Sequence, residues 1–250
     1  MLGQCLLIGA VVAGSFRVAV ALVALSSYLF FIGLEGLKRA RLRRQAGEMS
    51  FAQAFPRPSK LLLLASAGVG AAAVLGWGLW VLLFWGALSL AFVSVYAVLL
   101  LRRRERSVGA EWLGILGITL TAGVAWSAGT GRLGAEAFYV WAVCFLYFGA
   151  SVPYVKLRVR QMKSGPAPLS SRIGWARNAL LYGVVAVAIV AAGVRLGAYS
   201  WLMCIPFLLV LVKLVWVTVR GHAPLSLAQV GYTEVFYSTV FTVIAVAAFW

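Results

Sequence analysis

Side chains that could bind a charged ligand recur at helical spacing between residues 144 and 160. They step by three or four residues and so share one face of a helix: Cys144, Tyr147, Ser151, Tyr154 and Arg158. Such a face could form the wall of a ligand cavity that opens to the cytoplasm. The alternative is a packed membrane helix with a polar seam and an interfacial tyrosine. Pro153 lacks an amide hydrogen, so we expect a kink one turn before it.

Basic residues follow at the end of this helix. Arg158 is in register with Tyr154, so its side chain should point toward the helix bundle, whereas Lys156 and Arg160 should diverge from it. A cation near an anionic leaflet contributes about 1 kcal/mol of attraction to lipid headgroups. We therefore expect Arg158 to contact an anionic lipid or a phosphate-bearing ligand seated against Tyr154. The remaining positive charge is expected to determine topology alone.

The acidic residues are few, and all six are glutamates. Glu35, Glu111 and Glu234 fall at the ends of apolar segments, and Lys213 lies inside one. An unpaired charge at the centre of a membrane costs roughly 2.5–3.5 kcal/mol. We expect Lys213 to avoid this cost by extending its side chain to the membrane boundary, with a buried pair to Glu234 or Glu35 as the alternative. Glu111 and Glu234 also begin helices, where a carboxylate stabilises the positive helix end.

The sequence thus offers candidates for ligand binding but no catalytic set. The candidates are Tyr147, Ser151, Tyr154, Arg158, Lys213, Glu35, Glu111 and Glu234. The three cysteines lie in apolar runs without CxxC spacing, and aspartate is absent. His222 is the sole histidine and is expected to be solvated. No metal site and no cofactor is therefore expected, and no HExxH, GxSxG or phosphate-loop motif occurs.

The composition places these residues in a membrane protein. Hydrophobic residues make up 63% of the 250 residues and charged residues 11%, and the mean hydropathy is +0.97. Soluble domains are only about half apolar, so a bilayer is the solvent expected here. The 22 basic residues outnumber the 6 acidic ones and cluster between apolar runs, as they do in cytoplasmic loops. Membrane lipids, anionic ones included, are therefore the expected partners, and nucleic acid is not.

Nine apolar segments predict an all-α, polytopic membrane bundle of about nine transmembrane helices in a single domain, residues 1–250. The segments are 1–14, 16–34, 61–75, 79–101, 112–128, 138–155, 179–194, 199–219 and 232–250. The third is rich in Gly, Ala and Ser, so we expect it at the bundle centre. The first would be about 21 Å long against a hydrocarbon core of about 30 Å. We expect either a short helix there or a coding sequence that extends upstream of Met1.

The basic residues also predict the orientation. Eighteen of the 22 fall at the ends of even-numbered segments, in the stretches 38–60, 102–106 and 156–177 and at Arg220. Only three fall at the opposite ends, and Lys213 lies within a segment. Positive loops stay in the cytoplasm, so the N-terminus should be cytoplasmic and the C-terminus outside. The stretch 156–177 contains Gly165, Pro166 and Pro168 close together, so part of it is expected to be irregular.

Three runs resemble the YwiC-like family of bacterial membrane proteins: RRRERSVGAEWLG, TGRLGAEAFYVW and FLYFGASVPYVKLRVR. The resemblance implies the bacterial cytoplasmic membrane and little chemistry, because that family lacks an assigned function. Its members typically carry a Pro-x-Glu-His-Gly motif ahead of the first helix, which this chain lacks. The nine-span plan is also similar to that of UbiA-type prenyltransferases. Those enzymes bind magnesium through aspartate-rich motifs, which a chain without aspartate cannot supply.

Three functional hypotheses follow from these observations. A membrane binding or assembly protein without catalysis leads, because catalytic constellations are missing. The second is a UbiA-like lipid-handling protein or degenerate prenyltransferase, and the third is a small-solute transporter.

Overall fold

The computed structural model describes residues 1–15, 17–45, 56–102, 107–221 and 227–249. These ranges form ten α-helices and one 3-10 turn. The helices are α1 (Leu2–Val12), α2 (Val18–Gln45), α3 (Pro56–Trp77), α4 (Val81–Leu101), α5 (Val108–Thr130), α6 (Ala135–Gly149), α7 (Ser151–Ser164), α8 (Leu169–Arg195), α9 (Cys204–Arg220) and α10 (Leu227–Phe249). The 3-10 turn, Trp201–Met203, precedes α9.

The helices confirm the all-α membrane bundle. Eight stretches of the described chain are long and apolar enough to cross a bilayer, and α6 and α7 together count as one of them, Ala135–Ser164. The 11-residue α1 is apolar but too short for this class. Each of the nine predicted segments therefore corresponds to a helix. The third and fourth stay separate because Gly78, at φ 63°, turns the chain between them.

The bundle centre is formed by α5 and α6, which pack against each other and against α1. Backbones approach closely here because α1 and α5 place small residues at their contact: Gly9 lies against Ala122 and Ala125. The polar groups at this depth are paired. The Trp85 Nε1 of α4 donates a 2.9 Å hydrogen bond to Ser127 Oγ of α5, and both side chains are buried.

The position predicted for the third segment is wrong. Helix α3 packs along α2, where Ser26 and Ser66 exchange hydrogen bonds with each other's carbonyl oxygens at 2.9 Å. Its small residues mostly lie on the opposite, exposed face: a Cβ added at Gly68 would meet nothing within 4 Å. The run of small residues in this segment therefore does not mark the bundle centre.

The basic stretch after the sixth segment is irregular in part, as predicted, and helical elsewhere. Helix α7 continues to Ser164, and α8 begins at Leu169, so only residues 165–168 between them are non-helical. The expected break occurs at Ala150, between α6 and α7, one turn before the proline that cannot donate a backbone hydrogen bond. Lys156, Arg158 and Arg160 are thus held on a helix rather than in a loop.

Candidate functional site

Three helices meet at an ion pair in which the lysine is buried and the glutamate is half-buried. Lys213 of α9 is 7% exposed, and its ammonium donates to a carboxylate oxygen of Glu234 on α10. The same ammonium lies 4.1 Å from the ring centroid of Tyr154 on α7 and 4.6 Å from that of Tyr237 on α10. A carboxylate and two ring faces therefore surround one positive charge. We call these four side chains the lysine box.

The lysine box corrects the first expectation for Lys213 and matches the alternative. Its side chain is 7% exposed and pairs with the half-buried Glu234, seven residues before the end of α9. At 1.5 Å per residue, the ammonium belongs to a position about 10 Å from that end. A buried charge is stable at such a depth only when it is paired and hydrogen-bonded. The box supplies that pairing and at the same time ties α7, α9 and α10 together.

Tyr147 anchors the deeper part of the same face. Its ring stacks on that of Phe241 with 3.8 Å between centroids and 6° between planes. Its hydroxyl donates a 2.7 Å hydrogen bond to the backbone oxygen of Tyr237. Tyr147 thus fixes α10 against α6, and its hydroxyl is already used within the protein.

Arg158 lies one turn beyond Tyr154, and its environment is incomplete. The side chain is 2% exposed, and Nη1 donates a 2.9 Å hydrogen bond to Oε1 of Gln161. The Nε and Nη2 atoms of Arg158 are buried and have no hydrogen-bond partner. Lys156 and Arg160, by contrast, are exposed, which is the division of directions expected from helical spacing.

The last carbonyl oxygens of α9 accept hydrogen bonds from side chains of α7 and α8. Gln161 Nε2 donates to the backbone oxygen of Val217 at 3.3 Å. Arg172 of α8 donates from Nη1 to the carbonyl oxygens of Thr218 and Val219, at 3.4 and 2.6 Å. The last carbonyls of a helix carry partial negative charge, so these donors satisfy groups that the helix itself cannot. Arg158 therefore sits between an occupied helix end and the lysine box.

The remaining candidates lie elsewhere or are engaged locally. Ser151 Oγ donates to the carbonyl oxygen of Phe148 at 2.7 Å, so its hydroxyl serves its own helix. Glu111 pairs with Lys156 at 2.8 Å. Glu35 pairs with two basic residues of its own helix, at 3.6 and 3.4 Å, and is not the partner of Lys213. His222 lies outside the described residues.

Three contributors to the site were missed by the sequence reasoning. Gln161 follows Arg158 by three residues and Tyr237 follows Glu234 by three, so helical spacing could have indicated both. Phe241 follows Tyr237 by four residues on the same face. Their partners on other helices carried no signal in the sequence.

Within the part of the chain that the structure describes, no group of three or more His, Cys, Asp or Glu side chains could hold a metal ion. The site itself presents a buried guanidinium edge, a paired ammonium and phenol rings, groups that can bind and orient charge.

Comparisons with known proteins add no relative. A scan of protein-family models, a search of curated proteins and a search of solved structures each return no match. The resemblance to the YwiC-like family therefore stays a prediction. The helices of the chain identify a multi-pass, all-α membrane protein.

Proposed function

We propose that this multi-pass membrane protein binds an anionic, phosphate-bearing amphiphile at its cytoplasmic end, with Arg158 as the anchor, and that it acts without catalysis. The observation that carries the proposal is the Arg158 guanidinium, which is 2% exposed while Nε and Nη2 lack partners. A buried donor without a partner costs about 1–3 kcal/mol, and more when it is charged. An oxyanion at this position would remove that cost.

The two free nitrogens also indicate the shape of the partner. In a guanidinium, the hydrogens of Nε and of Nη2 point outward from one edge. That edge matches two oxygens of a phosphate or carboxylate and forms two parallel hydrogen bonds with them. The other edge faces Gln161 through Nη1, which orients the free edge. Arg158 is therefore prepared for bidentate recognition of one oxyanion.

A lipid is the source of this oxyanion that best fits the surroundings. Tyr154, one turn deeper on the same face, is 4% exposed and presents an aromatic ring among the apolar side chains of the core. A membrane amphiphile can bring its phosphate to this depth because its apolar chains already lie in the membrane and need not be dehydrated. The exposed basic residues of α7 and α8 would attract anionic headgroups to the same end of the bundle.

The lysine box favours one other function, transport of a small solute. Ion pairs buried among membrane helices often lie on substrate or proton pathways. Uptake of a solute into proteoliposomes that depends on Glu234 would support transport over binding alone. We rank it second because the free Arg158 edge has no role in it.

Arg158→Gln should lower the retention of anionic phospholipid by about tenfold or more, because a hydrogen bond to a charged group contributes about 1.5–3 kcal/mol. The matched control is Arg160→Gln, two residues away on the same helix, where the guanidinium is exposed and lies 5.4 Å from the Trp175 ring centroid. Both variants lose one positive charge. Native mass spectrometry of gently solubilised protein counts the lipids retained. Equal retention in the two variants would leave Arg158 with a topological role only.

We propose that the protein lies in the bacterial cytoplasmic membrane, as the YwiC-like resemblance implies. Its basic helix ends would face the cytoplasm and its C-terminus the outside, since eighteen of 22 basic residues fall at one set of segment ends. Alkaline phosphatase fused after Trp250 should then be active, and green fluorescent protein fused there should stay dark. An inactive phosphatase fusion together with a bright fluorescent fusion would contradict this orientation. Arg158 would then lie at the outer side of the membrane.

A further inference from the structure

Two positive side chains and one negative side chain share the buried seam between α7, α9 and α10. Arg158 and Lys213 are the buried charged residues among those that the structure describes, at 2% and 7% exposure. Glu234 neutralises Lys213. The seam therefore carries one uncompensated positive charge, and it lies on Arg158. Because an unpaired buried ion costs several kcal/mol, the missing partner should carry negative charge.

The two cations are close enough for each to affect what the other binds. Lys213 contacts the Tyr154 ring, and Arg158 follows Tyr154 by four residues. On the facing helix, Val217 follows Lys213 by four residues and accepts the hydrogen bond from Gln161, which in turn holds Arg158. Both links advance by one helical turn, so the two positions are offset by about 6 Å along the bundle. Charges on neighbouring turns of a buried seam interact more strongly than they would in bulk water.

We infer that Lys213 and Glu234 set the charge of the ligand, so that the site takes a monoanionic headgroup in preference to a dianionic one. A single negative charge matches Arg158. A second negative charge would find no further free cation within the seam of α7, α9 and α10, because Lys213 is already paired with Glu234. The nearby Arg172 of α8 has Nη1 on the last carbonyl oxygens of α9. A phosphodiester or a carboxylate fits this rule, whereas a phosphomonoester well above its second pKa of about 6 does not. The inference rests on the proposed function.

Lys213 has a further part in this arrangement, because it keeps Glu234 occupied. Without its ammonium, the Glu234 carboxylate becomes the nearest anion available to Arg158. It would then compete with the ligand from inside the protein. Lys213 should therefore be required for ligand binding even though it does not contact the ligand, which makes it a positioning residue.

The test compares two lipids with identical acyl chains, dioleoyl phosphatidylglycerol as the monoanion and dioleoyl phosphatidic acid as the dianion, at pH 8.5. Each is mixed with phosphatidylcholine in nanodiscs, and native mass spectrometry measures the lipid that stays bound after release. Wild type should retain phosphatidylglycerol over phosphatidic acid by about tenfold, which corresponds to about 1.4 kcal/mol. Glu234→Gln adds one uncompensated charge and should shift the preference to phosphatidic acid.

Two variants test the role of Lys213. Lys213→Met should lose phosphatidylglycerol by about tenfold although Arg158 is intact, and Lys213→Met combined with Glu234→Gln should recover the wild-type preference. If Lys213→Met or Glu234→Gln fails to fold, a variant that leaves the lysine box intact can replace it. Gln161→Glu is isosteric and gives Arg158 an internal counter-ion at the position of an existing 2.9 Å contact, so it should also lose phosphatidylglycerol.

The preference for a monoanionic headgroup, which we call the charge rule, can fail separately from the proposed function. If retention of phosphatidylglycerol by wild type equals that of Arg158→Gln, the proposed function is wrong and the charge rule fails with it. If retention depends on Arg158 but is unchanged in Lys213→Met and Glu234→Gln, the binding site stands and the charge rule alone is overturned. A double variant that binds neither lipid would also overturn the rule, because its net buried charge equals that of wild type.

Discussion

Replacing Glu234 with glutamine should lower the free energy of unfolding by about 3 kcal/mol, because it leaves the buried Lys213 ammonium without its counter-ion. Removal of one partner of a buried pair typically costs about 3–5 kcal/mol. We expect the lower end of this range, since the rings of Tyr154 and Tyr237 still stabilise the cation. Titration of detergent-solubilised protein with SDS, followed by tryptophan fluorescence, measures the change.

Two comparisons make this prediction specific. Glu35→Gln removes a carboxylate whose ion pairs are exposed at the surface of α2, so it should change stability by less than about 1 kcal/mol. The double variant Lys213→Met and Glu234→Gln should recover most of the lost stability, because no unpaired buried charge remains. If Glu234→Gln and Glu35→Gln were equally stable, the lysine box would contribute no more than a surface pair.

The sequence predicted the features that depend on short separations along the chain. Helical spacing indicated that Tyr147, Tyr154 and Arg158 share a face, and all three are buried in the bundle. Composition indicated the membrane, and the apolar runs located every helix except α7, most of which lies beyond the sixth run. These properties follow from the residue and its neighbours within one or two turns, so no knowledge of the tertiary structure was needed.

The features that depend on packing between distant segments could not be predicted. From the sequence, Lys213 could pair with Glu234, pair with Glu35, or extend its side chain to the membrane boundary. Only the position of α10 beside α9 selects Glu234. The small residues of α3 allow close packing but do not require it, because in lipid an exposed alanine costs little. Basic residues were taken to end the sixth helix, yet charged residues are compatible with a helix that continues beyond the membrane, as α7 does.

Gly9→Ala should destabilise the protein by about 1–3 kcal/mol, because α1 contacts α5 at this residue without room for a side chain. A Cβ at Gly9 would collide with the backbone oxygen of Ala122 and would lie 3.0 Å from the methyl group of Ala125. A backbone oxygen inside a helix cannot move aside as a flexible side chain can. The strain should instead displace α1, which is also tied to α5 by the 2.6 Å hydrogen bond from Ser15 Oγ, just past the end of α1, to the Gly129 oxygen.

Gly68→Ala is the matched control, since it makes the same chemical change in a membrane helix where nothing lies within 4 Å of the new methyl group. Its stability should equal that of wild type to within about 0.5 kcal/mol. Displacement of α1 has a second readout, because Cys5 lies in α1 and is fully buried. Membrane-permeant maleimide, followed by peptide mass spectrometry, should label Cys5 faster in Gly9→Ala than in Gly68→Ala. Equal labelling and equal stability would show that α1 and α5 are not held together at Gly9.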